Sequence, residues 1–507
     1  MELGELVAAL AGTPEVVQAG TSVALTEIDD APEISAVVHD TRDVVKGALF
    51  CCVRGARVDG HDLADEAVES GAAALVVDHP QELAAGGGDD IAQVVVPDVR
   101  AAMGPLAAAF WGHPSRDLMI VGVTGTAGKT TVTHLLRSIL VAAGHPSGLI
   151  GTLSGAHTTP DATELQAMLA AERDEGRTAV AMEVSSHGLD LHRVDGTHFA
   201  VAVFTNLSRD HLDFHHTMDD YFAAKARLFS PAFTDRAVIC VDDPWGRRLV
   251  DRLAGSGPAP GSADALPTTT YGLDDVTDLE VRADGCTFSW QGTSIHVGLP
   301  GRFNAANALA AATTAQMLGI DVATIAAGLR AAEPPAGRFE PVDGSQPFTV
   351  LVDYAHKPDA LEQALTTSRE LVADGRVTVV FGCGGDRDAT KRPIMGAVAA
   401  RLADRVVLTS DNSRSEDPLV ILDEIVAGIP DERRTAVTVE PDRRRAIAVA
   451  VAAARPGDLV LVAGKGHETT QTTGDRALPF DDRTEVRAAL ADLGFTAAGA
   501  EAGAGAL

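Results

Sequence analysis

The stretch VGVTGTAGKTT at residues 121–131 decides how this chain folds. It continues an apolar run that begins at residue 118 and has the composition of a buried strand, and helical periodicity follows it to about residue 143. Glycines let the backbone wrap a phosphate group, N–H groups at the start of the helix point at that group, and Lys129 adds a positive charge. The stretch therefore predicts a strand, a loop and a helix that together bind a nucleoside triphosphate.

The loop departs from the general phosphate-binding pattern at one position. Six residues before Lys129 the chain has Val123 instead of glycine, so the pattern is Gly125-x-x-Gly128-Lys129-Thr130. The Thr130 hydroxyl is of the type that holds Mg²⁺ beside a bound phosphate. A glycine-rich turn with a chance lysine is the structural alternative, but the strand, loop and helix occur in the required order, which favours phosphate binding.

Two further series of apolar runs predict the rest of the fold. Runs of buried-strand character are separated by segments long enough for a crossover helix, which is typical of parallel sheets. The first series occupies 178–184, 199–204 and 237–242, and the second occupies 348–353, 376–381, 405–410 and 458–463. Between them, alternation at 278–298 predicts small antiparallel hairpins. The fold class is therefore α/β, with two parallel-sheet domains in tandem.

The length of 507 residues implies roughly three domains. Proline-containing segments at 113–115 and 334–337 interrupt helical continuation and predict the boundaries between them. We expect an N-terminal domain at 1–115, a central domain at 116–336 and a C-terminal domain at 337–507. The last residues, about 497–507, are rich in Ala and Gly and are expected to form a disordered tail.

The charge balance excludes several classes of partner. With 41 basic and 71 acidic residues the formal net charge is −30, a poor match for nucleic acid or an anionic membrane surface. The first basic residue is Arg42, so the N-terminus lacks the positive region of a secretory signal, and no apolar run reaches the about twenty residues of a spanning helix. Five cysteines without metal-ligand spacing favour a reducing compartment and burial as small hydrophobes. We expect a soluble, cytoplasmic protein that is not embedded in a membrane.

Carboxylates and imidazoles follow the next two predicted strands. Glu183 ends one of them, at the sheet edge where a metal ligand beside the phosphate loop is expected, although a salt-bridge role fits the sequence equally well. The loop at 205–216 crowds acidic and imidazole groups together, namely Asp210, His211, Asp213, His215 and His216. Their spacing could serve zinc, but the absence of nearby cysteine and the oxygen-rich surroundings favour Mg²⁺ with ATP.

Together these segments resemble the Mur ligases, the ATP-dependent amino-acid ligases of peptidoglycan precursor synthesis, and within that family the MurE type, which adds the third residue of the stem peptide. The resemblance runs from about residue 39 to residue 483. It rests on an ordered set of motifs: HDTR at 39–42, GTAGKTT at 125–131, TTP at 158–160, MEVSSH at 182–187, TNLSRDHLD at 205–213, YFAAK at 221–225, DYAH at 353–356, GGDRD at 384–388, DNSR at 411–414 and GKGHE at 464–468. It implies a three-domain Mur ligase with a central phosphate-loop ATPase domain and a Rossmann-like C-terminal domain.

The resemblance also implies the residues of the ATP site, which in this family lies between the central and C-terminal domains. The matching positions are Gly125, Thr126, Ala127, Gly128, Lys129, Thr130, Thr131, Asn304, Arg338, Asp353 and His356. Ala127 stands where an asparagine is common, and its backbone N–H is unaffected by that change. The implied catalytic residues are Lys129, Glu183, His211 and Lys225, and the implied ligands of two Mg²⁺ ions are Thr130, Glu183, His211 and Lys225.

Lys225 takes its implied role only in modified form. It matches the family's carbamylated lysine, in which CO₂ converts the amine into a carboxylate-like oxygen ligand. Without the resemblance, the sequence favours a lysine that forms a salt bridge on a helix face. Both interpretations stay open at this point.

The resemblance assigns two further sets of residues. Thr41, Arg57, Thr158, Thr159, Ser185 and Arg193 match contacts to UDP-N-acetylmuramoyl-L-alanyl-D-glutamate. Arg387, Asp411, Asn412, Ser413, Arg414, Gly464 and Glu468 match contacts to the incoming amino acid. The implied reaction activates the D-glutamate carboxylate with ATP as an acyl phosphate, which the amino acid then attacks. A monomer is expected.

The enzyme is expected to select the incoming amino acid mainly by the end of its side chain. meso-2,6-Diaminopimelate differs from lysine by a second carboxylate, which calls for a guanidinium in a bidentate pair. Arg414 supplies one in a segment where diaminopimelate-adding relatives have Asp-Asn-Pro-Arg and this chain has serine at position 413. Diaminopimelate is therefore favoured. The alternatives are a ligase for lysine or another third residue, a ligase of the folate branch, and a catalytically silent paralogue that binds nucleotide.

Overall fold

The computed structural model describes residues 1–10, 14–18, 21–23, 32–55, 58–84, 91–153, 155, 157–256 and 266–496. The expected disordered tail at 497–507 and the expected site residue Arg57 lie outside this set. The chain divides into two compact units, one of residues 1–133 with 143–270 and the other of residues 134–142 with 271–507. The three-domain boundaries expected from the sequence stay predictions.

The first unit opens with a six-stranded sheet. Its elements are α1 (Leu3–Val7), β1 (Glu15–Gln18), β2 (Thr21–Val23), β3 (Ala36–Val38), β4 (Ala48–Cys51), α2 (Ala64–Glu69), β5 (Ala72–Val77), β6 (Ala92–Val95) and α3 (Val99–Phe110), and the strand order is β2-β1-β6-β5-β4-β3. Strands β3 to β6 pair in parallel, and β1 is antiparallel to β2 and β6. Side chains alternate across the sheet, since Leu49 packs in the cluster with α3 and Phe50 in the cluster with α2.

The second sheet of this unit carries the phosphate loop. Its elements are β7 (Met119–Thr124), α4 (Lys129–Ala142, of which residues 134–142 are counted with the second unit), β8 (Ser147–Ile150), α5 (Ala162–Asp174), β9 (Ala179–Glu183), α6 (Ser186–Asp190), β10 (Val201–Phe204), α7 (Leu212–His215), α8 (Met218–Ala226), β11 (Ala237–Cys240), α9 (Pro244–Ser256) and β12 (Thr268–Tyr271), in the strand order β12-β11-β10-β7-β9-β8. Strands β8, β9, β7, β10 and β11 are parallel, and the apolar runs predict all of these except β8. The loops at their carboxyl ends therefore share one edge.

The two sheets of the first unit are tied together by a backbone contact and a side-chain bond. A Cβ atom added at Gly104 in α3 would lie 2.0 Å from the carbonyl oxygen of Asp195, so only glycine permits this approach. His39 Nδ1 and Thr163 Oγ1 are 3.0 Å apart, which joins the HDTR segment to α5. The N-terminal segment is thereby held against the sheet that carries the phosphate loop.

The second unit holds a meander and a larger parallel sheet. Its elements are β13 (Thr277–Arg282), β14 (Gly285–Trp290), β15 (Thr293–Val297), α10 (Arg302–Met317), α11 (Val322–Ala331), β16 (Glu340–Pro341), β17 (Thr349–Asp353), α12 (Pro358–Leu371), β18 (Val377–Phe381), α13 (Lys391–Leu402), β19 (Arg405–Leu408), α14 (Pro418–Ala427), β20 (Val437–Val439), α15 (Arg443–Ala452), β21 (Leu459–Ala463), β22 (Thr470–Thr473), β23 (Arg476–Pro479) and α16 (Asp482–Asp492). The large sheet has the order β16-β17-β21-β18-β19-β20, in which only β16 is antiparallel. The antiparallel meander at β13 to β15 confirms the hairpins predicted at 278–298.

A buried ion pair stabilises the carboxyl edge of the large sheet. Arg443 and Asp482 are both fully buried and 2.7 Å apart, each in the first turn of a helix capped by an aspartate. Arg443 also donates to the Ala463 carbonyl at 2.9 Å and the Ser410 carbonyl at 3.4 Å. The pair therefore connects the ends of β19 and β21, where the DNSR and GKGHE motifs begin.

Two expectations from the sequence concern membrane spans and the cysteines. In the described residues, no helix combines the length and apolar character that a membrane span requires. All five cysteines are buried with free thiols, which confirms their expected role as small core residues.

Breaking the Arg443–Asp482 pair should destabilise the second unit. Asp482→Asn leaves the Arg443 guanidinium buried without its counter-charge, and we expect the free energy of unfolding of the transition that includes this unit to fall by about 3–5 kcal/mol. Calorimetric or denaturant unfolding measures the change.

The matched control is Glu362→Gln. Glu362 pairs with Arg401 at 2.8 Å, but about half of each side chain is exposed. This variant should cost at most about 1 kcal/mol. Equal losses in the two variants would contradict the structural role of the buried pair.

Candidate active site

The phosphate loop follows β7 and requires glycine at its first position. Gly125 has φ +151°, and a Cβ atom there would lie 2.0 Å from Thr205 Oγ1. Gly128 has φ +87°, and α4 begins at the next residue, Lys129. The first N–H groups of a helix have no intrahelical acceptor, so they form an anion-binding end here. The predicted strand, loop and helix are thus confirmed.

Asn206 holds the loop through three hydrogen bonds. Its side-chain oxygen accepts from the Ala127 N–H at 2.9 Å, its side-chain nitrogen donates to the Ala127 carbonyl at 3.1 Å, and its carbonyl accepts from the Thr126 N–H at 3.0 Å. The Ala127 N–H, expected to be unaffected by the loss of the common asparagine, is therefore engaged by Asn206. Sequence reasoning missed this residue, although the TNLSRDHLD motif contains it.

Glu183 ends β9 and lies next to the start of α4. Its carboxylate is buried, and Oε1 accepts from Thr130 Oγ1 at 3.0 Å and from the Thr152 N–H at 2.9 Å. Thr152 Oγ1 donates to Oε2 at 3.3 Å. A hydroxyl and a carboxylate oxygen in contact form the hard-donor pair that Mg²⁺ prefers. The sequence did not predict Thr152. The feature that could have indicated it is the neighbouring Gly151, where an added Cβ atom would lie 2.4 Å from Glu183 Oε1.

Lys225 points into the phosphate loop rather than to solvent. The Thr217 hydroxyl caps α8 by accepting from the Asp220 N–H at 3.1 Å, and the helix places Lys225 with only 1% of the residue exposed. Its Nζ donates to the Gly125 carbonyl at 2.9 Å, and Lys129 Nζ donates to the same oxygen at 2.9 Å. Lys225 is therefore a buried residue of α8, and its role as a carbamylated lysine stays a prediction.

An aromatic and imidazole cluster lies beside these lysines. The Tyr221 ring is 4.8 Å from Lys225 Nζ, and its hydroxyl is 3.1 Å from Thr126 Oγ1. Burial raises the pKa of Tyr221, so the phenol stays protonated. The His187 and His211 rings are 4.8 Å apart, and His211 Nε2 lies 3.2 Å from Asp210 Oδ2. Burial lowers the pKa of His187, which favours the neutral imidazole.

The residues expected to contact the UDP-dipeptide converge on the chain around Glu183. Thr159 Oγ1 lies 3.1 Å from both the Glu183 carbonyl and Ser185 Oγ, and Arg193 donates to the Thr159 carbonyl at 2.9 Å. Thr158 Oγ1 is 3.0 Å from Thr152 Oγ1. Thr41 lies in a one-turn 3₁₀ helix two residues after His39, in the segment joined to α5. Their contacts to ligand stay predictions.

Four expected nucleotide contacts lie in the second unit. Asn304 is buried in the first turn of α10 and donates to the Pro300 carbonyl at 2.8 Å. Asp353 ends β17 and accepts from the Phe339 and Ala355 N–H groups at 2.7 and 3.0 Å. The Arg338 guanidinium stacks 4.7 Å from the Tyr354 ring, and His356 Nδ1 donates to the Tyr354 carbonyl at 2.8 Å. Burial raises the pKa of Asp353, and Arg338 opposes that shift. Their assignment to ATP stays a prediction.

The residues expected to bind the amino acid meet at the carboxyl edge of the large sheet. Asn412 Nδ2 donates to Glu468 Oε2 at 2.8 Å, and Arg414 donates to the Gly385 carbonyl at 2.6 Å. Arg387 is exposed on the same turn as Gly385. The remaining members are buried or fixed by backbone contacts: Asp411 accepts from the Asn412 N–H at 2.6 Å, Ser413 Oγ lies 3.5 Å from Thr473 Oγ1, and Gly464 with φ +114° donates its N–H to the Asp353 carbonyl at 3.0 Å.

One further cluster of metal-binding side chains occurs in the first sheet. The ligand atoms of His61, Asp78 and His79 all lie within 4.8 Å of one another, and in the part of the chain that the structure describes no other such trio of His, Cys, Asp or Glu occurs. Asp78 already pairs with Arg54 at 3.0 Å, and Asp59 holds His61 Nδ1 at 2.6 Å. These contacts explain the cluster as an ion-pair network without a metal.

The fold and the geometry of the phosphate loop define an α/β protein with a phosphate-binding loop of the nucleotide-binding kind. Family models match three successive regions: "Mur ligase family, catalytic domain" at 33–111, "Mur ligase middle domain" at 123–315 and "Mur ligase, glutamate ligase domain" at 337–466. The chain belongs to the Mur ligase family, and it is an ATP-dependent ligase with the α/β fold class expected from the sequence.

Individual relatives with specific names are similar to this chain over most of its length. The chain is 45% identical to the UDP-N-acetylmuramoyl-L-alanyl-D-glutamate--2,6-diaminopimelate ligase of Streptomyces avermitilis, with 95% of this chain and 97% of that protein covered. It is also 45% identical to the protein of the same name from Geobacillus thermodenitrificans, with 90% and 95% covered. A solved structure of a ligase of this name is 33% identical with a TM-score of 0.65, covering 91% of this chain and 96% of that one. MurF from Acinetobacter baumannii, at 21% identity, shares the fold with a TM-score of 0.59 over 91% of this chain and 93% of that one.

The burial of His356 is expected to make the stability of the protein depend on pH. Burial, together with Lys357 and Lys391, lowers the pKa of His356 from 6.5 to about 3. An unfolded chain takes up a proton near the ordinary value while the folded chain does not, so the stability contributed by the neutral imidazole is complete above 6.5 and is lost as the pH falls toward 3. The stability difference between the wild type and His356→Gln should therefore shrink from pH 7 to pH 4.

The NMR signal of the His356 imidazole reports the protonation of this ring directly. The signal that disappears in His356→Gln should keep the shift of a neutral ring down to about pH 4. A signal that titrates near the ordinary histidine value would contradict the expected burial effect.

Proposed function

We propose that this enzyme joins meso-2,6-diaminopimelate to UDP-N-acetylmuramoyl-L-alanyl-D-glutamate in peptidoglycan precursor synthesis. The observation that carries the proposal is the meeting of Arg414, Asn412 and Glu468 at one sheet edge, which offers both a guanidinium and a carboxylate to a single amino acid. The curated relatives at 45% identity, which carry the name of a 2,6-diaminopimelate ligase, support the same substrate.

The first step is phosphoryl transfer from ATP. An oxygen of the D-glutamate γ-carboxylate bonds to the γ-phosphorus, the bond from that phosphorus to the β–γ bridging oxygen breaks, and ADP leaves with the electron pair. The N-terminal end of α4 and the Lys129 ammonium attract the negative charge on the phosphates. The product is an acyl phosphate on the UDP-dipeptide.

The residues at the phosphate loop fit Mg²⁺. Thr130 and Glu183 supply hard oxygen donors in contact, and His211 supplies an imidazole from the loop after β10. Bound Mg²⁺ would neutralise part of the phosphate charge during transfer. We propose two such ions, as the resemblance implies.

We propose that Lys225 acts as an N-carboxylated lysine. Its ammonium group would first lose a proton, and the neutral Nζ would then add to the carbon of CO₂ and lose a second proton, which replaces a cation by a carboxylate-like anion. Lys129 and Lys225 both contact the Gly125 carbonyl at 2.9 Å, so their like charges lie close together inside the protein. Carbamylation converts that repulsion into attraction and creates an oxygen ligand for a cation.

The second step forms the amide bond. The neutral amine of the amino acid attacks the acyl carbon, a tetrahedral intermediate collapses, and inorganic phosphate leaves while the nitrogen loses a proton. Water would hydrolyse the acyl phosphate, so the bound substrates must exclude it. Arg193 and the Thr158 and Thr159 hydroxyls are proposed to hold the dipeptide, together with Thr41 and Arg57 at the uridine end.

The choice of amino acid is proposed to follow from charge. The distal carboxylate of diaminopimelate would pair with Arg414, Arg387 would take the other carboxylate, and Glu468 with the Gly464 carbonyl would accept the distal ammonium. Lysine lacks the distal carboxylate and would leave Arg414 unpaired. Asp411, Asn412 and Ser413 shape the same edge. We further propose that the enzyme acts as a monomer in the cytoplasm.

Arg414→Ala should remove the use of diaminopimelate. Because a hydrogen-bonded charge pair is lost, we expect kcat/KM for diaminopimelate to fall by about a hundredfold or more, while the KM for ATP changes by less than about threefold. Phosphate release with ATP, the UDP-dipeptide and a panel of amino acids measures both values. The wild type should use diaminopimelate and not L-lysine.

Arg405→Ala is the matched control. Arg405 is an exposed arginine of the same sheet, and its removal should leave both values unchanged. Equal use of L-lysine by the wild type would overturn the assignment of diaminopimelate. Failure to release phosphate with every amino acid would instead indicate a catalytically silent paralogue.

Lys225→Ala should nearly abolish turnover if the carbamate supplies a ligand. We expect a loss of about a hundredfold or more in kcat, and recovery of part of it when a short carboxylic acid is added. Lys46→Ala, which removes an exposed lysine of the first unit, should leave turnover unchanged. Full turnover of Lys225→Ala would exclude the carbamate role.

A further inference from the structure

Lys465 is a fully buried lysine at the second position of the GKGHE motif. None of its side chain is exposed, and Nζ donates to Glu468 Oε2 at 2.8 Å and to Asn412 Oδ1 at 3.2 Å. The residues on either side are glycines with φ +114° and +52°, so the backbone turns sharply on both sides of Lys465. The lysine thus connects two of the side chains proposed to bind the amino acid.

Burial of this ammonium needs a compensating interaction. A lysine withdrawn from water costs several kcal/mol unless it is paired and hydrogen-bonded, and here the pairing is with Glu468 and Asn412. The large sheet already has a buried ion pair, Arg443–Asp482, that connects the ends of its strands. Lys465 contacts side chains of the proposed binding set instead, which points to a role in their placement.

The contacts fix the orientation of the Glu468 carboxylate. Lys465 Nζ and Asn412 Nδ2 both bind the same oxygen, Oε2, at 2.8 Å. Within the described residues, no hydrogen bond falls on Oε1, so this oxygen is the one that an ammonium of a ligand can use. Asn412 is fixed in turn, because its Oδ1 accepts from Lys465 and from the Thr472 N–H at 2.9 Å.

We propose that Lys465 is a positioning residue for amino-acid selection: it holds the Glu468 carboxylate so that Oε1 receives the distal ammonium of diaminopimelate. The inference rests on the proposed function, because it names the residue that orients a group of that same site. Lys465 itself does not touch the reacting atoms. Without it, the Glu468 carboxylate would keep only the hydrogen bond from Asn412 Nδ2, and the carboxylate would rotate.

The test compares two amino acids that differ only at the distal ammonium. 2-Aminopimelate has both carboxylates of diaminopimelate but lacks the second amino group. Lys465→Met should raise the KM for diaminopimelate by about ten- to a hundredfold, the range of a hydrogen bond to a charged group, and change kcat much less. The KM for 2-aminopimelate should change by less than about threefold, since that substrate makes no contact through the distal ammonium.

A double-mutant cycle with Glu468→Gln tests whether Lys465 acts through Glu468. If it does, Lys465→Met should add less than about threefold to the KM for diaminopimelate once the carboxylate is absent. Lys465→Arg retains the charge and should keep the preference for diaminopimelate over 2-aminopimelate near that of the wild type. This second variant also serves if Lys465→Met does not fold.

The control variant is Arg376→Met. Arg376 pairs with Asp458 at 3.2 Å at the amino edge of the same sheet, and the GKGHE motif follows the opposite, carboxyl edge. Arg376→Met therefore also removes an ion pair, but one that is distant from the motif. It should leave the KM values for both amino acids unchanged. Equal increases for both substrates in Lys465→Met, or additive effects in the cycle, would overturn the proposal.

The outcome for Lys465 can be separated from that of the proposed function. If the wild type turns over neither diaminopimelate nor 2-aminopimelate, the proposed function fails. Crystal structures of the wild type and Lys465→Met then decide the positioning role alone. Displacement of Glu468 away from Asn412 in the variant supports it, and an unchanged Glu468 side chain overturns it.

Discussion

The carbonyl oxygen of Gly125 accepts hydrogen bonds from two lysine ammonium groups, and the phosphate-binding end of the first unit is arranged around it. One lysine comes from α4 and the other from α8, so this single oxygen joins the helix that follows the loop to Lys225, which lies 100 residues after Gly125 in the chain. Asn206 holds the opposite side of the loop through Ala127. The close approach of Thr205 excludes any side chain at Gly125. The loop is therefore shaped from both sides before any ligand enters.

The parallel strands were predictable because their sequences are continuous and apolar. Residues 349–353, 377–381 and 459–463 read as buried strands and are buried in the sheet. Two of the strands that the sequence did not reveal lack that signal, since β12 is Thr-Thr-Thr-Tyr with three exposed positions and β16 is only Glu-Pro. Tertiary pairing at an edge makes such segments into strands, and local composition does not show it.

The candidate site was predictable to the extent that its residues lie in contiguous motifs. Gly125, Lys129 and Thr130 could be identified from spacing, whereas Lys225 could be placed only through the resemblance to a family, because an isolated lysine in a helix is indistinguishable from a surface residue. Thr152 lies outside the motifs and Lys465 lies inside GKGHE without an assigned role, and the importance of both appears only when the distances to Glu183 and Glu468 are known. The large negative charge of the chain likewise hides that several cations, Lys225, Arg392, Arg443 and Lys465, are almost entirely buried.

The contact between Gly104 and Asp195 and the bond between His39 and Thr163 have a consequence for the reach of a ligand. Both join the first sheet to the sheet of the phosphate loop within one unit, so the HDTR segment cannot slide along α5 without breaking them. A molecule that spans from Thr41 to Thr159 therefore meets two anchor points whose separation is set by the protein. A ligand that contacts both Thr41 and Thr159, as proposed, must therefore match a distance that is set within the first unit.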